Sequence, residues 1–258
     1  MNQTLSQGHL VETITDGVLT IQLGAAPAHP LSLGMIRALQ ASLDNAAGNS
    51  DVRMVVVHGA GRIFCAGHDL KEIKRHRQDP DDGRAYIEVL FKECSDMMLT
   101  LARLPQPTMA IVEGVASAGG LQLMSSCDLV FVSEDAKFCL PGVNNGGFCS
   151  TPAVAVGRKV PRNQVLELGL SGEMFDADWG LRTGLVTRVH AQDALLEKAM
   201  AFANTLAARY APSITSGKAM LYKQLELPLE QAYTEATVAM IEHFMDPHRI
   251  EAEKKSRF

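Results

Sequence analysis

The chain has 258 residues, with 24 Lys+Arg against 29 Asp+Glu for a formal charge of −5, and 47% apolar residues. That balance excludes a largely disordered protein, and an acidic excess without a basic stripe argues against a nucleic-acid partner. No run reaches the ~18 apolar residues of a membrane span, while 21 glycines beside only 5% aromatics suggest closely packed backbones.

Met1 to Leu10 shows neither a basic-plus-apolar leader nor an Arg-rich amphipathic pattern, so no targeting signal is read there. Leu10–Thr15 and Val18–Leu23 flank Asp16-Gly17, a hairpin signature. Ser32 is placed to N-cap a helix with Met35, Ile36, Leu39 and Leu43 on one face. Met54–Val57, Thr108–Val112 and Leu129–Val132 are short buried strands of a parallel sheet. Gly83–Leu104 has the pattern of a long amphipathic helix stopped by Pro105 and Pro107. Gly119–Cys127 is a second helix, and polar Arg75–Asp82 is expected as a mobile loop. Strands alternate with helices to about Val189; Asp193–Arg209, Pro212–Leu225 and Leu229–Phe244 are helical. The expectation is an α/β fold with a helical C-terminal region, divided into 1–190 and 191–258.

The five cysteines, Cys65, Cys94, Cys127, Cys139 and Cys149, are odd in number and form no C-x-x-C pair. This argues against disulfides or a zinc site and for a reducing compartment, with the cytoplasm as the expected location.

Glycine concentrates after strands, at Gly59-Ala60-Gly61 through Asp69, at Ser117–Gly120, and at Pro141–Gly147. Loops at strand C-termini are where open α/β sheets bind ligands. The first segment is no dinucleotide fingerprint, because Phe64 stands where the third glycine belongs. Ser117 is no hydrolase elbow, because Val115 replaces the leading glycine. Gly119-Gly120 opens a helix, whose free N–H groups and dipole suit an oxyanion; close helix–sheet packing explains the pair equally well.

Phe64-Cys65-Ala66-Gly67-His68-Asp69-Leu70-Lys71-Glu72 and Val115-Ala116-Ser117-Ala118-Gly119-Gly120-Leu121-Gln122-Leu123, closed by Cys127-Asp128, resemble the paired signatures of the crotonase (enoyl-CoA hydratase/isomerase) superfamily. The resemblance spans about Leu10–Leu225. It implies a spiral of ββα turns, with acyl-CoA as the small-molecule substrate. No separate cofactor is implied, since coenzyme A arrives with the substrate, and the assembly implied is a trimer or dimer of trimers. It implies further that the backbone N–H groups of His68 and Gly119 hold the thioester oxygen, with Ala66, Gly67, Asp69, Lys71 and Gly120 in the surrounding substrate site. The segment 191–258 would oligomerise and cover the coenzyme, although Ile250–Lys255 matches the family's usual ending only weakly.

The family's hydratases deliver water with two glutamates, and this chain carries Gln122 and Gly142 at those positions. Glutamine orients water but takes no proton, and glycine does neither. The segment Pro141–Pro152 resembles a divergent branch of the superfamily that includes the enoyl-CoA hydratase domain-containing proteins. Decarboxylation or thioester hydrolysis on the same oxyanion hole, or non-catalytic coenzyme binding, stand as alternatives. Cys149 falls where aromatic-acid dehalogenases of the superfamily carry a nucleophilic aspartate, and near the carboxylate-binding tyrosine of malonyl-type decarboxylases. It is either a nucleophile or a buried apolar thiol. Glu88, Glu93 and Glu113 are candidate substitute acids or else solvated or capping carboxylates, and Gln122→Glu with Gly142→Glu is expected to raise hydratase activity if only the carboxylates are lacking.

Overall fold

A computed structural model of the chain describes residues 4–6 and 8–255; part of the Met1–Leu10 stretch read for a targeting signal lies outside them. β1 (Thr4–Ser6), β2 (Leu10–Thr15) and β3 (Val18–Leu23) form an antiparallel meander, with Asp16 and Gly17 both at positive φ in the tight turn. Helix α1 (Leu33–Gly48) begins where Ser32 Oγ accepts the Met35 N–H at 3.1 Å. Three turns of one unit follow. β4 (Met54–Gly59) leads into β5 (Ile63–Cys65), and α2 (Leu70–His76) and α3 (Arg84–Arg103) carry the chain back. β6 (Thr108–Val112), β7 (Val115–Ser117) and α4 (Gly119–Ser126) repeat it. β8 (Leu129–Ser133) and β9 (Lys137–Cys139), a 3-10 turn over Pro141–Asn145, α5 (Ser150–Val156) and α6 (Arg162–Ser171) form the third. β10 (Phe175–Asp176), α7 (Ala177–Thr183) and β11 (Arg188–His190) close the sheets.

Each unit gives one strand to a seven-stranded sheet ordered β1-β2-β3-β4-β6-β8-β11 and one to a four-stranded sheet ordered β10-β9-β7-β5. The pairings from β3 through β11, and those joining β5, β7 and β9, are parallel. The central strands β4, β6 and β8 of the large sheet are buried on both faces. Val55, Val57, Ala110, Val112, Val130 and Val132 point into the main core. The alternate residues Met54, Val56, Met109, Ile111 and Phe131 point the other way.

Helix α8 (Leu195–Ala207) covers that second face with Leu195, Ala199, Ala203 and Ala207, a stripe of mostly small side chains that lets the helix lie close to the sheet. The segment assigned on sequence to the C-terminal region thus begins with a helix integral to the spiral's core. Beyond it stand α9 (Ala211–Gln224), α10 (Leu229–Met245) and α11 (Pro247–Lys255), the last not foreseen from sequence. Asp128 holds α9 to the spiral. Its carboxylate accepts from Thr108 N (2.7 Å), Lys218 Nζ (2.7 Å) and Tyr222 OH (2.7 Å). Lys159 Nζ donates to the Asp128 carbonyl at 3.2 Å, and burial lowers its pKa.

Of the stretch Arg75–Asp82 expected as a loop, residues 77–82 lie between helices, whereas Arg75 and His76 belong to α2. α2 runs to His76, and the following turn is pinned by the Asp81 carboxylate, which accepts Gly83 N (3.0 Å) and Ala85 N (2.8 Å) and is held acidic by these bonds. Arg77 Nη1 also donates to Asp82 O at 2.7 Å.

Candidate active site

β5 runs into Ala66-Gly67-His68-Asp69, and the segment before α1 stitches this loop in place. Ala66 N donates to Ala28 O (2.9 Å), Leu31 N to Gly67 O (2.8 Å) and Asp69 N to Leu31 O (3.4 Å). The Asp69 side chain caps α2 through Lys71 N (2.9 Å) and Glu72 N (3.2 Å), while Glu72 Oε2 accepts Leu33 N at 3.0 Å. Asp69 is therefore spent on holding the loop. Ala66 is exposed at its edge, and Lys71 projects from the exposed first turn of α2.

β7 meets this loop from the other side. Gly67 has φ +91°, and a Cβ there would stand 3.0 Å from Gly119 N and 3.1 Å from both Ala118 Cβ and Ser117 O. Only glycine allows the two loops to touch in this way. Ala118 caps α4 at φ 48°, ψ −118°, a region nearly reserved for glycine, at a cost of about 1–3 kcal/mol. Gly119 is the first residue of α4. Its N–H and that of His68 have no hydrogen-bond acceptor among the described residues. Gly120 serves a different end. Its Cβ would lie 2.0 Å from Cys65 O, so it sets the contact of α4 with β5. Ser117 Oγ accepts from Cys139 Sγ at 3.3 Å, a packing contact with no imidazole beside it.

The sequence profile described as enoyl-CoA hydratase/isomerase matches residues 13–257. The chain belongs to the enoyl-CoA hydratase/isomerase family. It is 38% identical over 229 residues to the rat enoyl-CoA hydratase domain-containing protein 3, mitochondrial, spanning 88% of this chain and 75% of that protein. It is 33% identical over 210 residues to a probable enoyl-CoA hydratase of Bacillus subtilis, spanning 80% and 78% of the two chains. Among solved structures, an enoyl-CoA hydratase/isomerase family protein from Silicibacter pomeroyi superposes with a TM-score of 0.87 at 53% identity, covering 92% of this chain and 99% of that one. Human enoyl-CoA hydratase domain-containing protein 3 gives 0.89 at 34% identity, covering 95% and 96%.

Gln122 and Gly142, expected from the resemblance to stand at the glutamate positions, are both uncharged residues. Gln122, on α4, is 5% exposed, and its Oε1 has no partner. A Cβ on Gly142 would stand 2.8 Å from Cys149 N, 3.0 Å from Cys149 Sγ and 3.0 Å from Phe148 C. The loop has closed over this position, with Gly147 N donating to Gly142 O at 3.0 Å. The expectation that restoring both acids recovers hydration is therefore revised. Gln122→Glu is expected to fold, whereas Gly142→Glu, alone or combined, is expected to destabilise the loop and yield no gain in crotonyl-CoA hydration; thermal denaturation and a hydration assay check both.

Cys149 is 8% exposed, and burial raises its thiol pKa, which favours the neutral thiol over a thiolate. Burial likewise pushes Cys65, Cys94 and Cys127 up to about 12. Of the substitute acids, Glu88 pairs with Arg84 at 2.8 Å and Glu93 with Arg37 at 2.7 Å. Glu113 pairs with His58 at 2.7 Å and accepts Gly61 N at 2.9 Å, bracing the corner after β4. What sequence reasoning missed is the Leu31 segment and Phe91 on α3, whose ring meets the His68 imidazole edge-on at 4.8 Å. Only the acid pair Asp69-x-x-Glu72, a helix-start signal, was there to reveal part of it.

Proposed function

We propose that this chain binds acyl-CoA thioesters and polarises the thioester carbonyl with the backbone N–H groups of His68 and Gly119, forming an enolate without the paired-glutamate delivery of water. The observation that carries this reading is the contact of the two loops through Gly67, beside which the two N–H groups are left without acceptors. Donors fixed before the reaction need no reorganisation as charge builds on the oxygen, and one such donor is typically worth about 10²–10³ in rate. Ala66 and Lys71, at the exposed rim, are assigned to the coenzyme. No cofactor is proposed beyond the coenzyme A of the substrate.

Among the reactions open to such a hole, loss of carbon dioxide from a malonyl-type thioester is favoured as the second reading, because it starts without a protein base and both carboxylate positions are neutral. The neutral Cys149 thiol disfavours hydrolysis through a covalent thioester. Calorimetry with a panel of acyl-CoAs is expected to show binding, and turnover assays on crotonyl- and malonyl-type thioesters are expected to favour the second class. Absence of heat with every thioester would overturn the reading; binding without turnover would favour a non-catalytic carrier.

We also propose assembly into trimers or dimers of trimers. Exposed Tyr233, Val238, Met240, Ile241 and Phe244 on α10 form the kind of surface that a second copy covers. No helix among the described residues is long and apolar enough to cross a membrane. Five free cysteines suit a reducing compartment, the cytoplasm in our reading, although the rat relative is named mitochondrial.

A further inference from the structure

We propose that the imidazole of His68, through Nε2, is the proton-transferring group of this site, acting on the α-carbon of the bound thioester. This rests on the acyl-CoA reading above and adds a side-chain role to a residue assigned there only for its backbone.

The placement of the ring carries the argument. Nδ1 lies 3.4 Å from Leu31 O. A carbonyl can only accept, so Nδ1 carries the proton and Nε2 keeps its lone pair. The Leu31 carbonyl is the ring's one hydrogen-bond partner among the described residues, which leaves Nε2 without one. Phe91 meets the ring edge-on, and Cδ2, the atom bonded to Nε2, is 3.7 Å from where a Cβ on Gly119 would stand. The Nε2 side of the ring thus flanks the head of α4, beside the N–H assigned to the thioester oxygen. Burial lowers the imidazole pKa, and no charged side chain contributes to the shift. The titratable groups around it are engaged elsewhere: Asp69 caps α2, Glu72 accepts Leu33 N, Cys65 is a buried thiol, and on α3 Glu88, Lys92 and Glu93 pair with Arg84, Asp96 and Arg37. Helix α4, Gly119–Ser126, carries no charged side chain.

The step balances without a co-reactant. Nε2 takes the α-proton, the C–H electron pair forms the Cα–C double bond, and the carbonyl pair moves to the oxygen held by the two N–H groups. The imidazolium then returns the proton to the carbon chain and the thioester re-forms.

The test is exchange of the α-protons of butyryl-CoA in deuterated buffer, followed by NMR, with binding measured by calorimetry. Exchange by the native protein is expected to rise with pH to a plateau whose midpoint lies below about 6.5, as a neutral base is required. His68→Gln keeps the backbone N–H and is expected to lower exchange about 10²–10⁴-fold while the Kd for butyryl-CoA stays within about threefold. His68→Asn gives the same comparison if the glutamine variant does not fold. Exchange that persists in the variant, falls only in step with binding, or is absent from a native protein that binds butyryl-CoA would overturn the proposal and leave the acyl-CoA reading standing. Failure of the native protein to bind any acyl-CoA would overturn that reading instead.

Discussion

Gly120→Ala is expected to destabilise the fold by about 3 kcal/mol and to lower Tm by roughly 6–12 °C. The added Cβ would lie 2.0 Å from Cys65 O and 2.6 Å from its carbonyl carbon, atoms of a buried strand that cannot rotate away. The helix must therefore move off β5, carrying the Gly119 N–H with it, so acyl-CoA binding falls as well. The neighbouring residue provides the control. A Cβ on Gly119 meets first the tip of the Leu31 side chain, at 3.1 Å, which can give way. Gly119→Ala is thus expected to keep a near-native Tm. Thermal denaturation of the two variants side by side checks the claim, and equal Tm values would show that α4 is free to shift.

The second large effect is expected at Asp128. Asp128→Ala removes the acceptor of Thr108 N and leaves the Lys218 ammonium, whose side chain is 11% exposed, without its carboxylate. Breaking a buried pair from one side typically costs about 3–5 kcal/mol, most of it the uncompensated charge left behind. Removing both charges in Asp128→Asn/Lys218→Met is expected to cost less than the single alanine variant. Because Lys218 and Tyr222 are the grips on α9, limited proteolysis of Asp128→Ala is expected to cut first between α8 and α10. Urea denaturation giving a loss below about 1 kcal/mol would place this cluster with ordinary surface pairs.

Both effects sit at different distances from what could be read in the chain itself. The hairpin, α1, α3 and α4 were legible because their signals are local: a turn dipeptide, a capping serine, an apolar stripe and a glycine pair after a strand. The oxyanion positions assigned above were legible only through resemblance, since Gly119 and Gly120 look alike in sequence and are separated by whether a side-chain tip or a fixed backbone carbonyl lies nearest each Cα. Helix α2 was passed over because its surface is almost wholly polar, although Asp69 and Glu72 marked its start. The ties of Lys218 and Tyr222 to Asp128 span 90 and 94 residues, and no local pattern encodes such a contact. The same holds for Cys149 over Gly142, where the decisive fact is the path of the loop between them.

That loop makes residue 142 a position where fit comes before chemistry. With Cys149 N 2.8 Å from where a Cβ would stand, any larger residue meets backbone that must shift before the new side chain can act. A carboxylate introduced there by engineering therefore needs the 142–149 segment rebuilt around it, and the two changes have to be made together.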